Sequence, residues 1–584
     1  MKRYLFGLVF LLLTPRLPAA QTFKDVMPDT WGATDALGRA LPGYAECGPV
    51  KKDRTVATFY FLWQGQHGVG GPYDITQILA ANPKDPKWGP EGAFHFWGQP
   101  EHGYYISSDE WVMRKNARML VNAGVDVIVL DVTNSFVYHD VTMQLCRTYM
   151  QLRREGLPTP QICFMLNSEP PATAAKLYDE FYSKNYFPDL WFRWQGKPLL
   201  LSGPEGMADK VKSFFTFRRS WAWSKGQEWF GDGKDKWPWL DNTPQGYGWH
   251  VSPEVPEMIC ACVAQHPISN IGRSFHDGKQ PGASELQTAS GPYFAEQWKR
   301  ALEVAPPFLF VTGWNEWVAQ RGVSDGKGMA IGEHLLKAGE SFFVDAYTQE
   351  YSRDIEPMRG GHTDNYYYQM ISGIRRYKGV QKPPVASPGK TIKIDGNFAD
   401  WTGVKPEYRD YARDVERRNS IGWGSAGRLV NTTGRNDFVA LKVARDKSNI
   451  YFYAKTADAI TAKATSAAWM QLLINTDNDP ATGWRGYDVL IGDLSPQPGN
   501  TTYARKNSGG WNWLEGMPVK LVYKGNEMEL SVPRKALGVF AKPLGFEFHW
   551  MDNIANPADD QSFLTEGDSA PDRRFNYVYQ TASP

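Results

Sequence analysis

The stretch that most restricts the fold is Phe308-Leu309-Phe310-Val311-Thr312, followed at once by Gly313-Trp314-Asn315-Glu316-Trp317. A short, unbroken apolar run suits a strand covered on both faces, which is the environment of a parallel sheet. The run ends in an Asn-Glu pair between two tryptophans. In a barrel of parallel strands, a carboxylate just past a strand's C-terminal end stands where such barrels place catalytic groups. Indole faces suit sugar rings. Glu316 is therefore the leading candidate catalytic residue, with Asn315, Trp314 and Trp317 as candidate substrate contacts. A glutamate that only binds loop backbone is the alternative.

Comparable apolar segments recur upstream: Val56 to Leu62, Asp126 to Val132, Gln161 to Leu166, Pro198 to Ser202, Phe214 to Phe217, Tyr247 to Val251 and Met258 to Ala264. Helical patterns such as Trp111 to Ala123 and Thr142 to Gly156 lie between the first of them. Alternation of this kind predicts a parallel sheet. Its length fits a (β/α)8 TIM-like barrel over residues 21–377. A doubly wound open sheet is the alternative, although no glycine-rich phosphate loop follows the first strand. Residues 378–390 (KGVQKPPVASPGK) have linker composition. Beyond them the period shortens. Thr391 to Asp395, Val439 to Val443, Ile450 to Thr456, Trp469 to Asn475, Val519 to Tyr523, Met528 to Val532 and Phe546 to Trp550 alternate as short strands. Residues 391–584 are therefore predicted to form an all-β sandwich.

Residues 1–20 read as a signal peptide: Lys2 and Arg3, an apolar core from Leu5 to Leu13, then Pro18-Ala19-Ala20. Export to the periplasm or the exterior is the expectation. No later segment reaches the ~18 apolar residues of a membrane span. The net charge is +1, from 64 basic and 63 acidic residues, and gives no footprint for nucleic acid or an anionic membrane. Five cysteines are too few and too scattered for a disulfide scaffold, so they read as small buried hydrophobes.

Aromatic content is the compositional signal, at 14% of the chain, and many tryptophans sit in Gly/Pro/Asn-rich loops rather than in periodic segments. Carbohydrate sites use loop aromatics beside polar groups. Trp63 and Trp249 are candidates of this type. His67 follows the first strand and the Trp63-Gln64-Gly65-Gln66 turn, and His250 adjoins Trp249. Both histidines are candidate sugar contacts. Asp131 ends the Val127-Ile128-Val129-Leu130 strand as Glu316 follows its own. Two carboxylates at strand ends facing one pocket are the minimal equipment for glycoside hydrolysis. Helix capping is the other role open to Asp131. Asp354 and Glu356 lie two apart in Tyr351-Ser352-Arg353-Asp354-Ile355-Glu356-Pro357. They belong either to a loop over the pocket, Glu356 being a further candidate catalytic carboxylate, or to a salt-bridged surface. In Asn475-Thr476-Asp477-Asn478-Asp479, alternating oxygen side chains make Asp477 and Asp479 candidate calcium ligands. An ordinary Asx-rich turn is the alternative.

These residues carry two family resemblances. Asn315-Glu316-Trp317 after the last strand, Gly124-Val125-Asp126 running to Asp131, and the first strand with Trp63 resemble the glycoside hydrolase family 71/99-like group, which includes the endo-α-mannosidases. The resemblance implies a second catalytic glutamate three residues beyond Glu316. This chain has Ala319 there, so only Glu316 maps onto the motif. Ile394-Asp395-Gly396-Asn397-Phe398-Ala399-Asp400-Trp401, with Thr482-Gly483-Trp484 and Gly486-Tyr487-Asp488, resembles a family 9 carbohydrate-binding module or its DOMON-like relatives. That resemblance implies a β-sandwich, often holding calcium, that binds glycan. The combined expectation is an exported glycoside hydrolase, without an organic cofactor, carrying an accessory glycan-binding domain. A non-catalytic glycan-binding protein that retains the barrel is the competing class. A serine esterase is disfavoured because no G-x-S-x-G elbow occurs.

Overall fold

The computed structural model of the chain describes residues 25–331, 334–463, 468–496, 498–540 and 543–582. The expected signal peptide lies outside them. Seven strands run parallel: β1 (Thr55–Tyr60), β2 (Val127–Val132), β3 (Gln161–Leu166), β4 (Lys197–Leu201), β5 (Thr216–Arg218), β6 (Pro256–Cys262) and β7 (Phe308–Thr312). Their order is β6-β7-β1-β2-β3-β4-β5, so the last strand pairs with the first. That cyclic order is the signature of a barrel wall and not of a doubly wound sheet.

Side-chain parity agrees. Ala57, Phe59, Val127, Val129, Cys163, Met165, Leu199, Leu201, Met258, Cys260, Phe308 and Phe310 form one enclosed core. Their neighbours Val56, Ile128, Leu130, Ile162, Phe164, Leu200, Ile259 and Leu309 point the other way, into a core shared with helices. The covering helices include α1 (Glu110–Ala123), α2 (His139–Arg154), α3 (Pro292–Val304) and α4 (Asn365–Lys378). Helix α1 starts at Asp109, whose side chain caps the Trp111 amide, and stops at Gly124, whose φ of 86° suits a residue without a Cβ. All five cysteines are buried and free.

The expected eight-strand closure is met only in part. Between β5 and β6 the described residues form isolated parallel bridges, Arg219↔Lys236 and Ala222↔Leu240, in place of a regular ladder. The anticipated sixth strand is present as Tyr247–Trp249, but it runs antiparallel to β6 and so is not a barrel-type strand. Its apolar pattern alone carried no information about direction. Above the C-terminal ends of the strands, a small sheet orders Ser341–Phe343, Val318–Val323, Phe94–Phe96 and Tyr73–Asp74.

The rest of the chain is β-rich. One antiparallel path runs from Phe575–Gln580 through Gly545–Asp552, Gln471–Asn475, Val489–Ile491, Thr501–Lys506, Met517–Lys524, Glu527–Pro533 and Asn449–Thr456 to Phe438–Arg445. The path folds back on itself. Phe452 meets Phe546 at 6.0 Å and Phe438 meets Trp550 at 5.9 Å, although their strands are not hydrogen-bonded neighbours. The predicted strand Thr391 to Asp395 is not one. Ile392 and Ile394 pack as an irregular segment on Trp401, Tyr451 and Tyr453. The two regions are tightly joined. The short strand Gly32–Ala33 adds to the edge strand Phe575–Gln580. Buried pairs Arg573–Glu101 (2.5 Å), Arg574–Asp364 (2.6 Å) and Arg418–Asp109 (2.6 Å) cross between them. Among the described residues no helix is long and apolar enough to cross a membrane.

Candidate active site

A cavity of about 480 Å³ opens at the C-terminal ends of β1, β2 and β7. Its walls include Trp63, His67, Phe94, Asp131, Glu316 and Asp345. Each arrives there for a local reason. Asp131 continues the inward parity of Val127 and Val129 past the apolar core, and it is half-buried. Its Oδ1 accepts the Thr133 amide at 2.9 Å, which fixes the carboxylate over the strand end. Trp63 follows β1 and meets Phe94 edge-on at 5.2 Å. The exposed His67 shares a hydrogen bond of 2.8 Å with the Tyr138 hydroxyl.

Glu316 is presented by a rigid turn. The Trp314 amide donates to the Phe59 carbonyl at 2.8 Å, and the Glu316 amide donates to Asp354 Oδ1 at 2.8 Å. A Cβ at Gly313 would approach that same Oδ1 to 3.1 Å, so the glycine allows the chain to lie directly on Asp354. The Glu316 side chain is 6% exposed and pairs with Arg353 through Oε2 at 2.7 Å. Arg353 also reaches Asp345 Oδ1 at 3.5 Å, and its guanidinium lies over the Trp239 ring, 5.4 Å from the centroid.

Burial raises the Glu316 carboxyl well above its ordinary value. The Arg353 guanidinium opposes this shift, while Asp345 and Asp354 reinforce it. Burial also raises Asp131, opposed by the Thr133 amide and by Arg353. His266, whose Nε2 accepts the Asp345 amide at 3.3 Å, is pushed down to about 4 by burial and by Arg353, so it is neutral at pH 7. Two carboxyls of raised proton affinity, Glu316 and Asp131, thus line one cavity, with Arg353 paired to Glu316. A carboxylic acid and a carboxylate are the groups that acid/base cleavage of a glycosidic bond uses.

Several expected site residues lie elsewhere. Trp314 is fully buried against Tyr367, at 6.1 Å. Trp317 stacks on Trp97 at 4.4 Å and donates its indole N–H to Glu356. Neither indole reaches the cavity, because the chain after β7 turns inward under the small sheet. Asn315 closes a two-point bridge to Phe61, accepting its amide at 2.9 Å and donating to its carbonyl at 3.1 Å, and so sets the turn. Asp354 and Glu356 are completely buried behind Glu316. Burial lifts them to about 6 and about 7 respectively. Glu356 Oε2 accepts the Tyr105 hydroxyl at 2.6 Å. Trp249 pairs opposite Pro256, at the start of β6 and hence at the far end of the barrel. Its indole N–H donates to the Asp232 carbonyl at 2.8 Å, and His250 pairs with Asp235 at 2.6 Å. The reversed direction of Tyr247–Trp249 carried both away from the site.

No family model matches the chain, and no curated protein sequence does. Solved structures give distant likenesses. A GH99 endo-α-mannosidase from Bacteroides thetaiotaomicron aligns at 15% identity over 56% of this chain and 98% of its own, with a TM-score of 0.33. A Thermotoga maritima α-L-fucosynthase aligns at 10% identity over 86% of this chain and 97% of its own, with a TM-score of 0.22. Likeness at these scores transfers neither a site residue nor a reaction.

Sequence reading missed Asp345, Arg353, Gln320 and Phe94. Arg353 had a visible signal, since it lies inside the acidic segment already singled out. Asp345 had none, because nothing local ties the second residue after Ser341–Phe343 to a strand end some thirty positions earlier. In the β-rich region, Asp477 and Asp479 lie on an exposed turn. Asp477 Oδ1 accepts the Asp479 amide at 2.9 Å, and Asp479 Oδ1 accepts the Ala481 amide at 2.9 Å. The Thr482 hydroxyl adds a contact to Asp477 at 3.2 Å. These contacts are those of an Asx turn.

Proposed function

We propose that the protein is an exported glycoside hydrolase that cleaves an O-glycosidic bond in a polysaccharide or oligosaccharide. The observation carrying this reading is the pair Glu316 and Asp131 on one open cavity that Trp63 and Phe94 also line. Glu316 is the proton donor. Burial raises the proton affinity of its carboxyl, opposed by Arg353, which holds Oε2. Asp131 is the base or nucleophile, steadied by the Thr133 amide. Trp63 and Phe94 take the apolar face of a sugar, and Asn134 and Gln320 supply amide groups for its hydroxyls. The barrel is read as a (β/α)8 wall whose eighth position is the irregular 219–240 segment. The region beyond residue 390 is read as an accessory glycan-binding domain joined by residues 378–390. Its half-buried Trp511 and Trp513 rings, 5.3 Å apart, are candidate contacts.

One observation favours the non-catalytic alternative. Ala319 is buried in Val318–Val323 opposite His95, so no second carboxylate stands at that position. The test is to incubate the full chain and Glu316→Gln with a panel of α- and β-linked glycans. Binding and reducing-end release are measured separately. Release by the parent, with binding but no release by Glu316→Gln, is the expected result. Binding without release by the parent overturns the hydrolase reading.

A further inference from the structure

Away from the cavity, where α1 meets the β-rich region, lies a second group of carboxylates. Asp410, Asp414 and Asp568 each offer an oxygen, and these atoms all lie within 4.8 Å of one another. Two oxygens bound to one ion at the ~2.4 Å typical of calcium can be at most that far apart. All three residues are buried, and Asp410 is 0% exposed.

Their hydrogen bonds do not account for them. Asp410 Oδ1 accepts only the adjacent Tyr411 amide, at 2.9 Å, and Oδ2 has no hydrogen-bond partner. Asp414 Oδ1 is likewise without one. Asp568 Oδ2 accepts the Phe438 amide at 2.6 Å. Asp437 is buried nearby, its Oδ2 taking the Arg413 amide at 2.6 Å and its Oδ1 unpartnered. Buried acceptors with nothing to accept are destabilising unless a ligand or proton satisfies them.

The cations facing this group come from α1. Arg118 lies 3.3 Å from Asp414 Oδ2 and also donates to the Asp414 carbonyl, as does Lys115. Asp410, Asp414, Asp437, Asp568 and Glu416 outnumber Arg118 and Lys115, and Arg114, which also reaches Glu416, is shared with Glu110 and Glu155, so the group keeps an excess of carboxylates.

We propose that Asp410, Asp414 and Asp568 bind one divalent, oxygen-preferring cation at the junction of the two regions. Calcium fits better than magnesium. The site offers three carboxylates from two segments, whereas magnesium demands strict octahedral geometry and retains most of its waters. The ion would neutralise the residual charge and tie the 410–414 segment to Asp568–Ala570 beneath α1.

The probe is calcium chloride added to the full chain after dialysis against a chelator, followed by calorimetric titration and thermal melting. One equivalent bound, with a Tm that rises with calcium concentration, is expected. Loss of a mere outer partner of a metal costs ~10–100-fold in affinity, so Asp410→Asn should weaken binding by at least ~10-fold. Asp477→Asn/Asp479→Asn should leave it unchanged. Absence of binding by the parent overturns the proposal, as does full-strength binding by Asp410→Asn or loss of binding in the Asp477/Asp479 variant. If Asp410→Asn does not fold, the stoichiometry of the parent and of the Asp477/Asp479 variant decides. One equivalent in both supports the site, and none in either removes it.

Discussion

Two sets of acidic side chains stand at the end of the barrel, and their surroundings differ. Glu316, Asp131 and Asp345 open onto the cavity. Asp354 and Glu356 lie behind them with no solvent exposure, bound to the Glu316 amide, the Tyr105 hydroxyl and the Trp317 indole. Both sets contain carboxyls whose proton affinity is raised by burial. A raised pKa therefore does not separate them. Access to a ligand does: the front set lines open space, while the rear set has no solvent exposure.

The largest effect expected from this contrast is at Glu316. Glu316→Gln should keep a cooperative melt and lower kcat by ~10²–10⁴-fold. Near-parental turnover would erase the distinction between front and rear. Next is Asp131→Asn, with a loss of ~10²-fold or more on the same assay. A silent Asp131→Asn beside a damaging Asp345→Asn would move the partner role to Asp345. The pH profile of kcat/KM should place its alkaline limb above the ordinary glutamate range, because burial holds the Glu316 proton. Glu316→Gln should lack that limb.

For the rear set, activity should stay near parental in Glu356→Gln while stability responds. The folded-state pKa of Glu356 is raised from 4.5 to about 7, so its favourable contribution is complete below about 4.5 and is lost as pH rises through about 7. The Tm of Glu356→Gln relative to the parent should therefore increase from pH 5 to pH 8, by the equivalent of up to ~3 kcal/mol. A gap that does not vary with pH would mean that Glu356 is not the buried proton holder. The smallest effect is at Trp63. Trp63→Ala should raise KM by roughly tenfold, near the ~1 kcal/mol of an aromatic contact. Trp249→Ala, at the opposite end of the barrel, should leave KM unchanged. Equal effects from the two would break the front-face assignment of Trp63.

Much of the barrel was legible because each parallel strand announces itself locally. Val127 to Val132 and Phe308 to Thr312 are apolar on both faces, and the parity of Asp131 follows from its strand. Tyr247 to Val251 misled because an apolar triplet looks the same in either direction. The tryptophans misled for a related reason. Trp314 and Trp317 occupy a loop rich in polar neighbours, yet that loop folds inward and their rings fill the core. Asp410, Asp414 and Asp568 lie up to 158 positions apart. No local pattern links them, since acidic residues at such spacing are ordinary surface composition.

The sequence alone determined the alternation of strand and helix, the change to short strands beyond residue 390, and the placing of Asp131 and Glu316 at strand ends. Those features rest on period and burial, which act over a few neighbouring residues. The tertiary structure decided which carboxylates face open space, which are sealed behind Trp317 and Tyr105, and that Arg353 and Asp345 join the front set. Those outcomes depend on loops from distant strands meeting above the barrel, where a side chain's accessibility and unpaired oxygens are fixed by what packs over it.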